Sequence, residues 1–301
     1  MYHLIAVPVE GTTLDEQALL WAIAIARKAA CGIELVRVIA PPAYTAPPVL
    51  AATPSIALDL EQVRKGAERV LRHKAGEVAR SLGQPVHHVI VDGVLPDALE
   101  SYLEQGEADL VVMGTHDRGR LERMLLGSST DSVVRHVHRP VLVVHGESSE
   151  LPRAPQIQHI LIPLDGSPFA EQILPYARTL AQLMGARVTL LSVLEPMLFA
   201  LEAAAEQPAL VEAVDPSAES NPLDASAQAL RAAGLAVATH VVVDRQPGHV
   251  INEFARQHQV DVIAMTSHGR GGLGRLIAGS VALKVVHGGS TAVLLYRPET
   301  S

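Results

Sequence analysis

The chain says the same thing twice. HLIAVPVEGTTLDEQAL, beginning at His3, aligns with HILIPLDGSPFAEQIL, beginning at His159, so that Pro8 falls over Pro163, Glu10 over Asp165 and Glu16-Gln17 over Glu171-Gln172. EADLVVMGTHDRGRLERMLLGSS, from Glu107, aligns in the same way with VDVIAMTSHGRGGLGRLIAGSV, from Val260, and the register holds into the closing strand. A period of about 150 residues is too long for a solenoid unit and suits a duplicated domain. Both halves must then reach one fold from two divergent sequences. HGESSELPRAPQIQ (145–158) is polar and proline-containing and reads as the linker, which gives domains at 1–146 and 157–301. With 301 residues and 48% hydrophobic content, each half has material for its own core.

Short β-branched runs alternate with helical patterns in each half. The first offers IAVPV, IELVRVIA, VHHVIV, DLVVMGT and VLVVH; the second offers ILIPL, VTLLSVL, VATHVVV, DVIAMT and AVLLY. Several are apolar at nearly every position, as expected of parallel strands covered on both faces. LDEQALLWAIAIARKAA carries apolar residues at helical spacing, and ALDLEQVRKGAERVLRHKAGEVARSLG does so up to Gly83, a stop signal. Strict alternation predicts right-handed crossovers and an α/β fold, two similar domains, each a five-stranded parallel doubly wound sheet. Such sheets take ligands beyond the carboxyl ends of their strands, where strand order reverses. Pro8-Val9-Glu10, Pro163-Leu164-Asp165 and the loops after Thr115 and Thr266 belong at those ends. The Ala- and Pro-rich stretch between Pro196 and Asn221 reads as a partly irregular crossover.

The net charge of −8 gives no reason to expect nucleic acid or an anionic membrane surface as partner. The lone cysteine, Cys31, excludes an internal disulfide framework, fits a reducing compartment, and reads as a small apolar residue ending a helix. MYHLIAVPVE shows no basic n-region, and ALLWAIAIA (18–26) is about half a bilayer crossing. The expectation is a cytoplasmic, soluble protein.

SHGRGGLGRLIAGS (267–280) contains the spacing of three nucleotide loops. Gly269, Gly271 and Gly274 spell the dinucleotide fingerprint, but they follow the fourth strand of their half, and no acidic residue stands between Gly269 and Glu299 to take ribose hydroxyls. A P-loop needs lysine and Ser/Thr where Arg275 and Leu276 stand. The third spacing, G-x-x-G, nine residues, then G-[ST], occurs in both halves with one departure each: Gly114-Thr115-His116-Asp117 with Gly127-Ser128, and Thr266-Ser267-His268-Gly269 with Gly279-Ser280. With the Pro-x-acidic ends of the first strands and the closing PVLVV and AVLLY, the chain resembles a tandem universal stress protein over nearly its whole length.

That resemblance implies an adenine nucleotide, ATP or else ADP or AMP, with or without Mg, as the small-molecule partner. It implies contacts from Pro163, Leu164, Asp165, Val193, Thr266, Ser267, His268, Gly269, Gly279, Ser280 and Val281. In the first half the matching residues are Pro8, Val9, Glu10, Val38, Gly114, Thr115, Gly127, Ser128 and Ser129. It further implies that VLVVH and AVLLY lie near a pseudo-twofold axis, the chain forming an internal pseudo-dimer that can also form a homodimer and act on an unknown protein partner.

The chemistry can be argued on its own terms. Glycines let backbone N–H groups approach an anion, and Gly279-Ser280 precedes SVALKVVH, a short helix whose N-terminus offers free donors. Ser128 and Ser280 suit a helix cap or a phosphate hydroxyl contact; Asp165 suits a helix cap, ribose hydroxyls or an adenine amine; Val38 and Val193 suit adenine or plain core. Asp117 adds charge and a Cβ to the first loop, whereas Thr266 only crowds the second, so the second half is the better nucleotide site. Arg118, Arg123, Arg270 and Arg275 are surface cations or phosphate partners. No zinc spacing appears among the histidines: His136 and His138, two apart on a helix, point away from each other, and His116 and His268 suit a ligand better than a metal. No nucleophile elbow, H-E-x-x-H or G-K-[ST] is present, so no catalytic residue is named and ATP turnover, if any, is slow. The expected function is a nucleotide-binding sensor or regulator in stress response. The competing reading is a nucleotide-free interaction scaffold of the same fold, and a nicotinamide- or flavin-linked enzyme comes third.

Overall fold

The structure, a computed structural model, describes residues 2–40, 54–116, 128–146, 154–194, 196, 222–267 and 280–298. The chain divides into two compact units, Met1–Gln156 with Leu294–Ser301, and Ile157–Val293. The irregular crossover expected before Asn221 lies outside the described residues, as do His268, Gly269, Gly279, Gly127, Asp117 and the four loop arginines.

The first half runs β1 (Leu4–Pro8), α1 (Thr13–Ala29), β2 (Gly32–Ile39), α2 (Pro54–Leu82), β3 (His87–Asp92), α3 (Asp97–Gln105), β4 (Leu110–His116), α4 (Ser128–His136) and β5 (Val141–Gly146). The second runs β6 (His159–Pro163), a 3-10 turn (Ala170–Ile173), α5 (Leu174–Met184), β7 (Arg187–Leu194), α6 (Asp224–Ala232), β8 (Val237–Val243), α7 (Pro247–Gln257), β9 (Val262–Thr266), α8 (Ser280–Gly288) and β10 (Ala292–Tyr296). Strand order is β3-β2-β1-β4-β5 in one half and, read in the same sense, β8-β7-β6-β9-β10 in the other. The duplication is therefore topological as well as sequential. In each half the chain reverses direction across the sheet between its first and fourth strands, which are parallel and adjacent: Ile5 sits opposite Leu110, and Ile160 opposite Val262.

Apolar runs became central strands because helices cover both their faces. Ile5, Ala6 and Val7 of β1 and Ile160, Leu161 and Ile162 of β6 are completely buried, each large side chain contributing about 1.5–3 kcal/mol. VHHVIV and VATHVVV, equally apolar on paper, are the sheet edges, and on β8 Val241 and Val243 stay exposed.

Two aspartates set the strand starts. Asp109, just before β4, accepts from the His3 amide at 2.8 Å, and Asp261, just before β9, accepts from the amides of Gln158 at 2.7 Å and His159 at 2.9 Å. The repeat keeps this clamp, but the histidines beside it are not equivalents: Leu4 pairs with Gly32 as His159 pairs with Arg187, so His159 stands one position further along its strand than His3. His3 is an exposed partner of Asp109, whereas His159 is buried with Nε2 2.8 Å from the Thr189 hydroxyl and Nδ1 3.2 Å from the His258 carbonyl. Burial, aided by nearby Arg187, pushes the His159 pKa down. In the first half Cys31 is buried, and burial and then Asp109 push its thiol up to about 11; it packs as a protonated, apolar group.

Candidate functional site

In the second half the switch point is built from three strand ends. β6 closes at Pro163, and Leu164 extends its ladder by one bond, its N–H donating to Leu191 at 2.9 Å. The chain then turns through Gly166, whose φ of +76 is cheap only without a Cβ. Asp165 organises this turn: its Oδ1 accepts from the Ser167 amide at 2.9 Å and the Ser167 hydroxyl at 2.6 Å. Ser167 Oγ in turn accepts from the Ala170 amide at 3.1 Å, so the cap expected of Asp165 is made by Ser167 in its place. Asp165 stays half-buried at the edge. Beside it, β9 ends in Thr266, followed by Ser267, both buried. On the other side β7 carries Val193, half-buried and in register with Val242 of β8. Pro163, Leu164, Asp165, Thr266 and Ser267 thus share one edge, with Val193 two residues beyond Leu191, the register partner of Pro163.

Ser280 and Val281 open α8, and Ser128 and Ser129 open α4, with Ser280 and Ser128 the first helical residues of their elements. α8 is held from behind by α7: Asn252 Nδ2 donates to the carbonyls of Lys284 and Val285, both at 3.2 Å, and a Cβ on Gly248 would lie 2.8 Å from Lys284 Cβ. Asn252 is a positioning residue that no motif marked. α4 ends at His136, so His138 lies in the turn beyond the helix, and the helical-wheel argument about that pair does not apply. Among the described residues no group of three or more His, Cys, Asp or Glu could hold a metal ion. Among them, too, no helix is long and apolar enough to cross a membrane.

The first half places its counterparts at the same edge and arranges them differently. Pro8 ends β1, Val9 extends its ladder with its amide donating to Val36 at 2.9 Å, and Val38 is half-buried on β2. Glu10 is exposed and does not shape the turn; Asp15 does. Its Oδ2 accepts from the amides of Glu10 at 3.0 Å, Gly11 at 2.6 Å and Thr12 at 2.9 Å, while Oδ1 takes the Thr12 hydroxyl at 3.2 Å. The Thr-x-x-Asp spacing of a capping box, Thr12 to Asp15, was the available signal. Thr115 is buried, and Gly114 accepts through its carbonyl from the Thr130 hydroxyl of α4 at 3.3 Å, which seats the start of that helix beside the end of β4.

The family model described as Universal stress protein family matches residues 1–145 and 156–297, one copy on each half. The chain belongs to the universal stress protein family. Universal stress protein relatives extend over the tandem arrangement: one from Mycolicibacterium smegmatis is 29% identical across 98% of this chain and 97% of its own, and one from Mycobacterium tuberculosis is 28% identical across 97% and 94%. Among solved structures, a universal stress protein from Archaeoglobus fulgidus superposes with a TM-score of 0.73 at 18% identity, covering 98% of both chains. The fold is accordingly the Rossmann-like, adenine nucleotide alpha hydrolase-like universal stress protein fold, present twice.

Proposed function

We propose that this universal stress protein binds an adenine nucleotide, ATP foremost, in the crevice at the ends of β6, β7 and β9, and acts as a stress-response sensor whose surface follows the ligand. The observation that carries this reading is the placement of Asp165. Its carboxylate stands half-buried at the point where strand order reverses, on a turn that Ser167 holds rigid, between the ends of strands that bear Val193 and Thr266-Ser267. A carboxylate there suits vicinal ribose hydroxyls, and the start of α8 at Ser280 suits phosphate. Mg accompanies the phosphates as part of the ligand. No residue of the crevice is offered as a base or nucleophile, and turnover is proposed to be slow or nil.

A second reading, a nucleotide-free scaffold, draws on buried Thr266 where the loop pattern has glycine. Isothermal calorimetry with Mg·ATP separates the two. The sensor reading expects saturable binding, weakened about tenfold or more by Asp165→Ala through loss of charge-assisted hydrogen bonds and abolished by Gly279→Asp. Absence of heat for the unaltered protein, together with no nucleotide mass in a native spectrum, supports the scaffold.

A further inference from the structure

The two halves close their strand-end crevices differently, and the first closes its own with its own helix. We propose that α1 seals the first half against nucleotide, Leu14 filling the ends of β4 and β5 and Asp15 taking the backbone donors, so that one chain holds one nucleotide; the stoichiometry rests on the reading above.

The seal has three parts. The first is steric. A Cβ on Gly114, near the end of β4, would lie 2.6 Å from the Leu14 carbonyl oxygen, and a Cβ on Gly146, at the end of β5, would lie 2.7 Å from Leu14 Cδ2. The first turn of α1 therefore sits directly on those two strand ends. The aligned positions in the second half are Thr266 and Pro298, which have side chains; Leu14 is matched there by Phe169, and the descent into the helix begins with a 3-10 turn that packs on β9. The second part is electrostatic. Three converging amides, those of Glu10, Gly11 and Thr12, are already committed to the Asp15 carboxylate, which is only 7% exposed. The backbone donors that a ribose would meet at this turn, the place Asp165 holds in the second half, are thus taken by a buried carboxylate, and the charge of an arriving nucleotide is opposed by it and by the adjacent Glu10 side chain. At the position of Asp15 the second half has Ala170; the anion of its turn is Asp165, half-buried at the strand end, which takes the Ser167 amide at 2.9 Å. The third part is a brace. Arg37 Nη1 donates to the Val9 carbonyl at 3.0 Å and lies 3.7 Å from where a Gly11 Cβ would be, which fixes the loop to β2; the aligned residue on β7 is Ser192, fully buried.

Amide hydrogen exchange on the full chain, with and without saturating Mg·ATP, tests this. The expected pattern has three elements. The amides of Glu10, Gly11 and Thr12 exchange slowly in the ligand-free protein, Mg·ATP leaves them unchanged, and Asp15→Ala speeds them about tenfold or more. Asp15→Asn, which keeps the acceptor oxygen and removes the charge, falls between. Slowing of these amides by Mg·ATP in the unaltered protein would overturn the proposal, because the first half would then be taking ligand. Fast exchange before any substitution, or no change in Asp15→Ala, would overturn it as well. If Mg·ATP protects no segment, the second-half site fails while slow exchange that is lost in Asp15→Ala still upholds the seal.

Discussion

Gly114 is the residue where a motif reading and a packing reading part company, and Gly114→Ala decides between them. A new Cβ would meet the Leu14 carbonyl oxygen at 2.6 Å and Leu14 Cβ at 2.9 Å, against 3.4 Å where ordinary contact begins. Neither atom can swing aside, because one is backbone and the other is fixed to it. The overlap of about 0.8 Å must be relieved by lifting the first turn of α1 off β4, and overpacking of this kind costs about 1–3 kcal/mol. For a domain of this size that corresponds to a fall of roughly 3–10 °C in Tm. The chain contains a single tryptophan, Trp21, and it lies buried in α1 itself, so its fluorescence reports on the first half alone. Urea unfolding followed by Trp21 should show an earlier midpoint at unchanged slope, while Thr266→Ala, in the other half, should leave that transition in place. A shift below about 0.5 kcal/mol for Gly114→Ala would refute the reasoning and return Gly114 to the ligand loop.

Three further outcomes follow from particular contacts. Ala30, exposed after α1, holds φ +53 where the repeat has Gly185 at +70, so Ala30→Gly should stabilise the first half by about 0.5–1 kcal/mol in the same Trp21 assay. His159 binds a proton less readily folded than unfolded. The unfolded chain therefore gains protons first as pH falls below about 6.5, and the second half should lose up to about 1.4 kcal/mol of stability per pH unit below that point. Circular dichroism melts from pH 7.5 to 5 should show that slope, and His159→Gln should flatten it. Asn252→Ala strips donors from the Lys284 and Val285 carbonyls and should cost about 1–2 kcal/mol while weakening Mg·ATP binding through the loosened α8, read by paired thermal and calorimetric titrations.

Most of the fold was legible because it follows from local rules. Burial on two faces selects unbroken apolar runs such as ILIPL and VLVVH, and crossover helices reveal themselves by their period, as in LDEQALLWAIAIARKAA. The duplication then carried each assignment from one half to the other. VHHVIV and VATHVVV show the limit: nothing in their letters distinguishes an edge from a centre, since that depends on which strands come to lie alongside. The candidate site was legible in its addresses. Pro163-Leu164-Asp165 and Thr266-Ser267 do meet at one edge, because strand order forces the ends of β6 and β9 together.

What those residues do there depends on distances between parts of the chain far apart in sequence. By itself the sequence determined two copies of an alternating α/β unit and which strand ends lie where strand order reverses, because period and repeat register both survive in linear form. Only the tertiary structure decided that Gly114 makes room for Leu14, that Asp15 and not Glu10 governs the first turn, that Ser167 caps where Asp165 was expected to, and that His159 is buried while His3 is not. Each of these is settled by which atom arrives within about 3 Å of another, and a list of neighbours along the chain does not contain that information.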